Sequence, residues 1–384
     1  MLRNRALLFL VLTGVIAAAG LAFVTHAPNR LLSGQPISLL AAPGSLNVLF
    51  LLPGLVLLAG PFLPERRAPQ AALAISAAAF LVALCWLAGS HAAALAGISP
   101  PAARTAPGAG FWVLFTCAAL ALIDTTHRLK LSPAASAAWG IAVVAALALL
   151  GISGALDQLS LFREYAVRRD VFADALARHV TIVIAALLPA AATGLALGML
   201  ARRGSRLGAW LFPALNVVQT IPSIALFGAL LVPLAALAAA FPRLAQIGIS
   251  GIGPAPAIIA LVLYSLLPIA RNTSAGLAGV SPAALEAARG MGMSARQILW
   301  RVELPLALPV LLSGLRVATV QAIGLAAVAA LIGAGGLGAI MFQGLFANAT
   351  DLTLLGALPV IALALAADAL FRLLAAWAER RPGD

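Results

Sequence analysis

Few side chains in this sequence can do chemistry, and their spacing narrows what that chemistry is. The densest run of polar groups is Ser281-Pro-Ala-Ala-Leu-Glu-Ala-Ala-Arg-Gly-Met-Gly-Met-Ser-Ala-Arg-Gln-Ile-Leu-Trp-Arg-Val-Glu-Leu-Pro305. Its charges, Glu286, Arg289, Arg296, Arg301 and Glu303, lie among small residues and include no nucleophile beside a base. By residue type alone they read as an ordinary charged loop between two apolar spans. Phosphate-loop chemistry is excluded, because Gly-Lys-Ser/Thr needs a lysine and the only one, Lys130, follows Leu129. His26, His91, His127 and His179 are scattered, and no His-Glu-x-x-His occurs. Cys85 and Cys117 both fall in apolar segments and read as small packing residues. Neither a metal site nor a cofactor is expected.

A second group of candidates lies inside apolar segments. Asn216, Gln219, Thr220, Ser223, Tyr264, Asn272 and Gln321 are neutral polar residues at positions where lipid would offer them nothing. They can line a translocation route, or simply hydrogen-bond between helices at about 0.6 kcal/mol each. Both readings stay open. Arg316, Asp124 and Asp368 are ionisable and therefore functional candidates. Asp368 precedes Arg372 by four residues, which predicts a local ion pair, and Asp124 stands close to Arg128. Arg316 can snorkel toward the cytoplasm or pack against a gate.

The elements that position these residues are membrane helices. Of 384 residues, 9% are charged and 63% hydrophobic, whereas soluble domains run near about one quarter charged. Ten apolar spans are expected, at roughly 6–25, 46–63, 71–95, 110–126, 135–156, 179–200, 208–234, 254–275, 306–332 and 353–375. No ten-residue stretch alternates with period two, which argues against a β-barrel. The first span, preceded by Arg3 and Arg5, reads as uncleaved. The net charge of +12 does not form a basic stripe with interleaved aromatics, so no nucleic acid is expected as a partner.

Basic residues set the orientation. With the N-terminus inside, the cytoplasmic segments hold Arg3, Arg5, Arg66, Arg67, Arg128, Lys130, Arg202, Arg203, Arg206, Arg271, Arg289, Arg296, Arg301, Arg372, Arg380 and Arg381. The outer segments hold Arg30, Arg104, Arg163, Arg168, Arg169, Arg178 and Arg243. That asymmetry puts both termini in the cytoplasm. The expected organisation is an N-terminal membrane region of five spans (1–156), a periplasmic amphipathic loop (157–178) and a transport core (179–384) with a cytoplasmic loop at 276–305. In that loop Ser281 and Pro282 should open a short helix, Gly290 and Gly292 should end it, Ser294 should cap a second, and Pro305 should stop or turn it.

The loop resembles the EAA loop of ABC importer permeases, whose pattern is E-A-A-x3-G-x9-I-x-L-P. Glu286, Ala287, Ala288, Gly292, Leu304 and Pro305 match it, with Val302 where Ile is usual. Gln219-Thr-Ile-Pro-Ser223, Leu263 through Asn272, and Ile332-Gly-Ala-Gly-Gly-Leu-Gly338 resemble the osmoprotectant branch of that family, over about residues 175–375. The resemblance implies an all-α polytopic bundle with a type I ABC importer permease core in a bacterial inner membrane. It implies that those six residues couple to separate ABC ATPase subunits. It also implies a periplasmic or lipid-anchored solute-binding protein, a second permease subunit, and glycine betaine, choline or carnitine as solute.

Other readings compete. An ABC permease for another small solute, such as an amino acid, would share the loop. An intramembrane serine protease is suggested by Gly151-Ile-Ser-Gly154 and Gly248-Ile-Ser-Gly251, but it needs an embedded His, and His179 is the nearest. A secondary transporter or channel would need no such loop. Gly333, Gly335 and Gly338 match the dinucleotide pattern without a preceding strand, so a bend after span nine is expected instead.

Overall fold

The computed structural model describes residues 3–29, 32, 34–41, 48–201, 206–246 and 248–380. Arg30, Arg202, Arg203 and Arg381, used above for orientation, lie outside the described residues. The chain divides into two compact units, Met1–Val167 and Arg168–Asp384.

The first unit contains α1 (Arg5–Gly20), β1 (Ala22–Ala27), β2 (Gln35–Ser38), α2 (Val48–Ala59), α3 (Arg67–Ala96), β3 (Arg104–Pro107), α4 (Ala109–Arg128), α5 (Pro133–Ile152) and α6 (Ser160–Val167). Its core gathers Leu7, Phe23, Leu73, Leu84, Leu87 and Phe111 from α1, β1, α3 and α4. At one end Asp124 accepts from Asn4 at 2.7 Å and from Arg128 at 3.0 Å, and Arg128 also reaches Glu65 at 2.7 Å. At the other end of α1 a three-stranded antiparallel sheet, order β2-β1-β3, closes the unit.

A small sheet is thus added to a chain that is otherwise the expected helical bundle, and its first strand shortens the first span. The helix expected to run to residue 25 ends at Gly20, and the β-branched Val24 and Thr25 enter a strand instead. A helix of 16 residues is about 24 Å long, short of the roughly 30 Å hydrocarbon core. The second expected span is shorter again, 12 residues followed by a 3-10 turn at Gly60–Phe62. Among the described residues, eight helices are long and apolar enough to cross a membrane.

The second unit contains α7 (Arg169–Leu200), α8 (Arg206–Thr220), α9 (Ser223–Ala240), α10 (Pro242–Gln246), α11 (Pro254–Ala278), α12 (Pro282–Gly290), α13 (Ala295–Ile298), α14 (Leu304–Val328), α15 (Leu337–Phe346) and α16 (Thr350–Arg380). Span seven, expected as one helix over 208–234, is two helices broken at Ile221 and Pro222. Pro222 cannot return a bond to the preceding turn, which ends α8. Helix also replaces much of the expected 157–178 loop: α6 fills 160–167, and α7 begins ten residues before span six was expected. After α14, Gly333, Gly335 and Gly336 all take positive φ, near 80°. They make the bend, and α15 returns as a helix of only 10 residues.

Helix α11 is the centre of the second unit, packed between α7 and α14. Small residues let the helices approach closely, the usual device where lipid gives no hydrophobic drive for association. A Cβ on Gly198 of α7 would collide with Thr273 and the Ala270 carbonyl of α11. One on Gly314 of α14 would meet Asn272 and the Pro268 carbonyl. Gly198→Leu should therefore force α7 from α11 and cost about 1–3 kcal/mol, read as a lowered thermal midpoint of the purified protein. Gly324→Ala, where a Cβ meets nothing within 4 Å, should leave that midpoint unchanged or raise it.

Candidate functional site

Two sites emerge from the second unit. The first is the loop between α11 and α14. Pro282 occupies the first turn of α12, its fixed φ suited to helix initiation. Ser281 sits at the N-cap but its side chain makes no capping bond; its carbonyl instead accepts from Ala284 and Leu285 at 3.1 and 3.3 Å. The end of α12 is closed by backbone alone. Gly292 has φ +78°, its N–H donates to Arg289 O at 2.9 Å, and the Met293 N–H reaches Ala288 O at 3.2 Å. This paired closure needs a left-handed residue at Gly292, where any Cβ is strained. Ser294 then caps α13 in a reciprocal box with Gln297.

Pro305 does not stop the second helix. It lies at the start of α14, and the ladder before it widens into a π turn over Leu299–Glu303, with Leu304 N–H bonded to Leu299 O. Pro305 has no N–H to return to Arg301, and the wider turn absorbs the defect. Leu285, Leu299 and Leu304 rest on Leu277, Val280, Ala307 and Leu311, which anchors the loop to α11 and α14. Ala288 is buried, while Glu286, Ala287 and Arg289 are exposed. Met291 and Trp300 are exposed as well, at 74% and 61%. The sequence reading passed over these two. Their signal was an apolar side chain in a charged segment outside any span.

The second site is a polar node inside the bundle. Pro268 lies within α11 and cannot donate to the Tyr264 carbonyl one turn earlier. Gln219 of α8 donates its side-chain amide to that carbonyl instead. The Tyr264 hydroxyl in turn donates to the Ile221 carbonyl, at the break between α8 and α9. Gln321 of α14 reaches the Gln219 side-chain oxygen at 3.4 Å. Three candidates named from sequence, Gln219, Tyr264 and Gln321, thus meet across three helices, α8, α11 and α14.

The other candidates stand apart from this chain of bonds. Asn216 and Ser223 are half-buried on either side of Gln219 and the break. Asn272 donates to Pro268 O on its own helix at 2.8 Å, and Thr220 to Val217 O at 2.7 Å. Asp368 pairs with Arg372 at 2.6 Å, and Arg316 approaches the same carboxylate at 3.7 Å. The protease reading loses its geometry. Ser153 Oγ donates to Leu150 O and Ser250 Oγ to Ile252 O, while buried His179 places Nε2 3.1 Å from Ile323 O. His179 is instead a tie between α7 and α14 that sequence reasoning had weighed only as a base.

Residues 190–381 match the family described as "Binding-protein-dependent transport system inner membrane component". The chain belongs to this family. Residues 3–162 match a second description, "ABC transporter permease YehY, N-terminal domain". The permease is 40% identical over 226 residues to the choline transport system permease protein OpuBD of Bacillus subtilis (strain 168), covering 59% of this chain and 90% of that one. It is 41% identical over 204 residues to the glycine betaine/carnitine/choline transport system permease protein OpuCD of the same organism, covering 53% and 80%. Against the osmoprotectant import permease protein OsmW of Salmonella typhimurium it is 43% identical over 191 residues, covering 50% and 84%. The chain is a multi-pass permease and a transporter component.

The polar node gives a direct test. Gln219→Leu strands the Tyr264 carbonyl and should cost about 1–2 kcal/mol of stability. Pro268→Ala restores an N–H to that carbonyl, so Gln219→Leu should cost less than half as much in that background. Thermal unfolding of the four proteins of this cycle measures the coupling.

Proposed function

We propose that this permease carries glycine betaine or a related quaternary-amine osmolyte across the bacterial inner membrane, driven by separate ATPase subunits. The observation that carries the reading is the α12–α13 loop. It presents an exposed helix face, Glu286, Ala287 and Arg289, held at a fixed angle by Gly292 and anchored on α11 and α14. A rigid element of that kind can pass a push from a docked partner into both helices. α11 and α14 also supply Tyr264 and Gln321 to the polar node, so the same two helices join the docking surface to the interior. Exposed Met291 and Trp300 would add apolar anchors to the ATPase contact.

The substrate class rests on relatives named for choline, glycine betaine, carnitine and osmoprotectant transport, at 38–43% identity. Asn216, Gln219, Ser223, Tyr264, Asn272 and Gln321 are assigned to the pathway. The node they flank is neutral, which suits a zwitterion or a cation that must bind weakly and leave. High-affinity recognition then falls to a solute-binding protein, with a second permease subunit completing the route. The N-terminal region forms one unit and the transport core another, with both termini in the cytoplasm.

Three measurements test this. In a reconstituted system, glycine betaine or choline uptake should require ATP and this subunit. Retained betaine uptake without the subunit, with amino-acid uptake lost instead, would refute the substrate. Gly292→Asp and Ala287→Arg should each reduce uptake at least tenfold, while leaving membrane insertion unchanged. Full coupling in both would remove the loop from the mechanism. For topology, Gly290→Cys should resist a periplasmic thiol reagent while Asp170→Cys reacts.

A further inference from the structure

The first unit holds a pocket that the transport reading leaves unused. It has a volume of about 100 Å³ and is lined by His26, Thr105, Gln158 and Arg163, with Pro100 and Pro101 on its apolar side. A single water needs about 10–15 Å³ of such space, so several waters or one small organic ion fit.

The walls are built rather than incidental. β1 and β3 pair antiparallel with His26 opposite Thr105, and His26 Nδ1 lies 2.9 Å from Thr105 Oγ1. Ser99 Oγ is 3.0 Å from Nε2, so the imidazole is held at both nitrogens. Thr105 also bridges Leu159 in parallel, which brings Gln158 and the start of α6 against the sheet. Arg163, on α6, donates to Ala103 O and to Pro101 O, each at 2.8 Å. A guanidinium has five N–H donors, so these two bonds leave donors for a ligand. An open sheet edge is not tolerated in hydrocarbon, which puts this end of the unit at the water boundary.

The chemistry of the lining selects its guest. Among the described residues it contains a fixed cation, an imidazole, an amide and a hydroxyl, with no carboxylate and no phenyl or indole face. Burial, and next the charge of Arg104, pull the Arg163 guanidinium below its ordinary pKa, with Glu164 opposing. A cation left in that state gains from an incoming anion. A quaternary ammonium would prefer an aromatic cage, and the described lining residues include no aromatic ring of that kind. We propose that this pocket binds a small carboxylate, held by Arg163 and Gln158 beside the braced His26.

The test uses the full-length permease alone in nanodiscs, with acetate as the probe and saturation-transfer NMR as the readout. It needs no ATPase or binding protein, so its outcome is independent of the transport assignment. Acetate should bind saturably, and choline, which lacks a carboxylate, should not displace it. Arg163→Gln should weaken binding at least tenfold. Because Arg163 also braces the Pro101–Ala103 loop, Gln158→Leu serves as the second variant; it should weaken binding several-fold with an unchanged thermal midpoint. Displacement by glycine betaine would identify a zwitterionic osmolyte as the source of the carboxylate, and failure to displace would identify a simple organic acid. Absence of saturable binding, binding unaltered in both variants, or equal displacement by chloride would overturn the proposal.

Discussion

A proline inside a spanning helix leaves one carbonyl without its partner, and the hydrocarbon core supplies no substitute. Much of the transport unit is arranged around that constraint. Pro268 frees the Tyr264 carbonyl, Gln219 satisfies it, and Gln321 satisfies Gln219 in turn. Pro222 breaks the helix after Ile221, and the Tyr264 hydroxyl takes up the Ile221 carbonyl. One tyrosine therefore closes one defect with its hydroxyl and exposes another through its carbonyl. Helices α8, α11 and α14 are tied at the break after α8 and beside the α11 proline.

The same constraint shapes the loop between α11 and α14. Pro305 opens α14 and the ladder before it widens to a π turn, so the loop enters the helix without a sharp stop. Gly292 closes α12 through backbone bonds alone, which leaves the side chains of Glu286, Ala287 and Arg289 turned outward. The loop is anchored on α11 and α14. Those helices reach from the loop to the polar node.

The N-terminal unit solves a different problem. Its first two apolar helices are short, 16 and 12 residues, and its sheet has open edges. The open edges belong at an interface rather than in lipid. The sheet converts a hydrophobic segment with no readable motif into a frame that sets His26 opposite Thr105 and draws Arg163 over Ala103.

The sequence alone determined the membrane class, because a chain so poor in charge and so rich in long apolar runs has no aqueous fold available. It also determined the two-helix loop, since Ser294, Pro282 and Gly292 are capping signals read from neighbours within a few residues. It identified Gln219, Tyr264 and Gln321 as polar groups needing partners, without saying which. That choice required the fold: the partners are separated by 43 to 102 residues in the chain. The break in span seven and the strand after α1 were equally hidden. A proline in an apolar run is tolerated or not according to what lies across from it, and a strand forms only where another strand waits to pair. Local sequence fixes which backbone groups will be left unsatisfied; only tertiary packing decides what satisfies them.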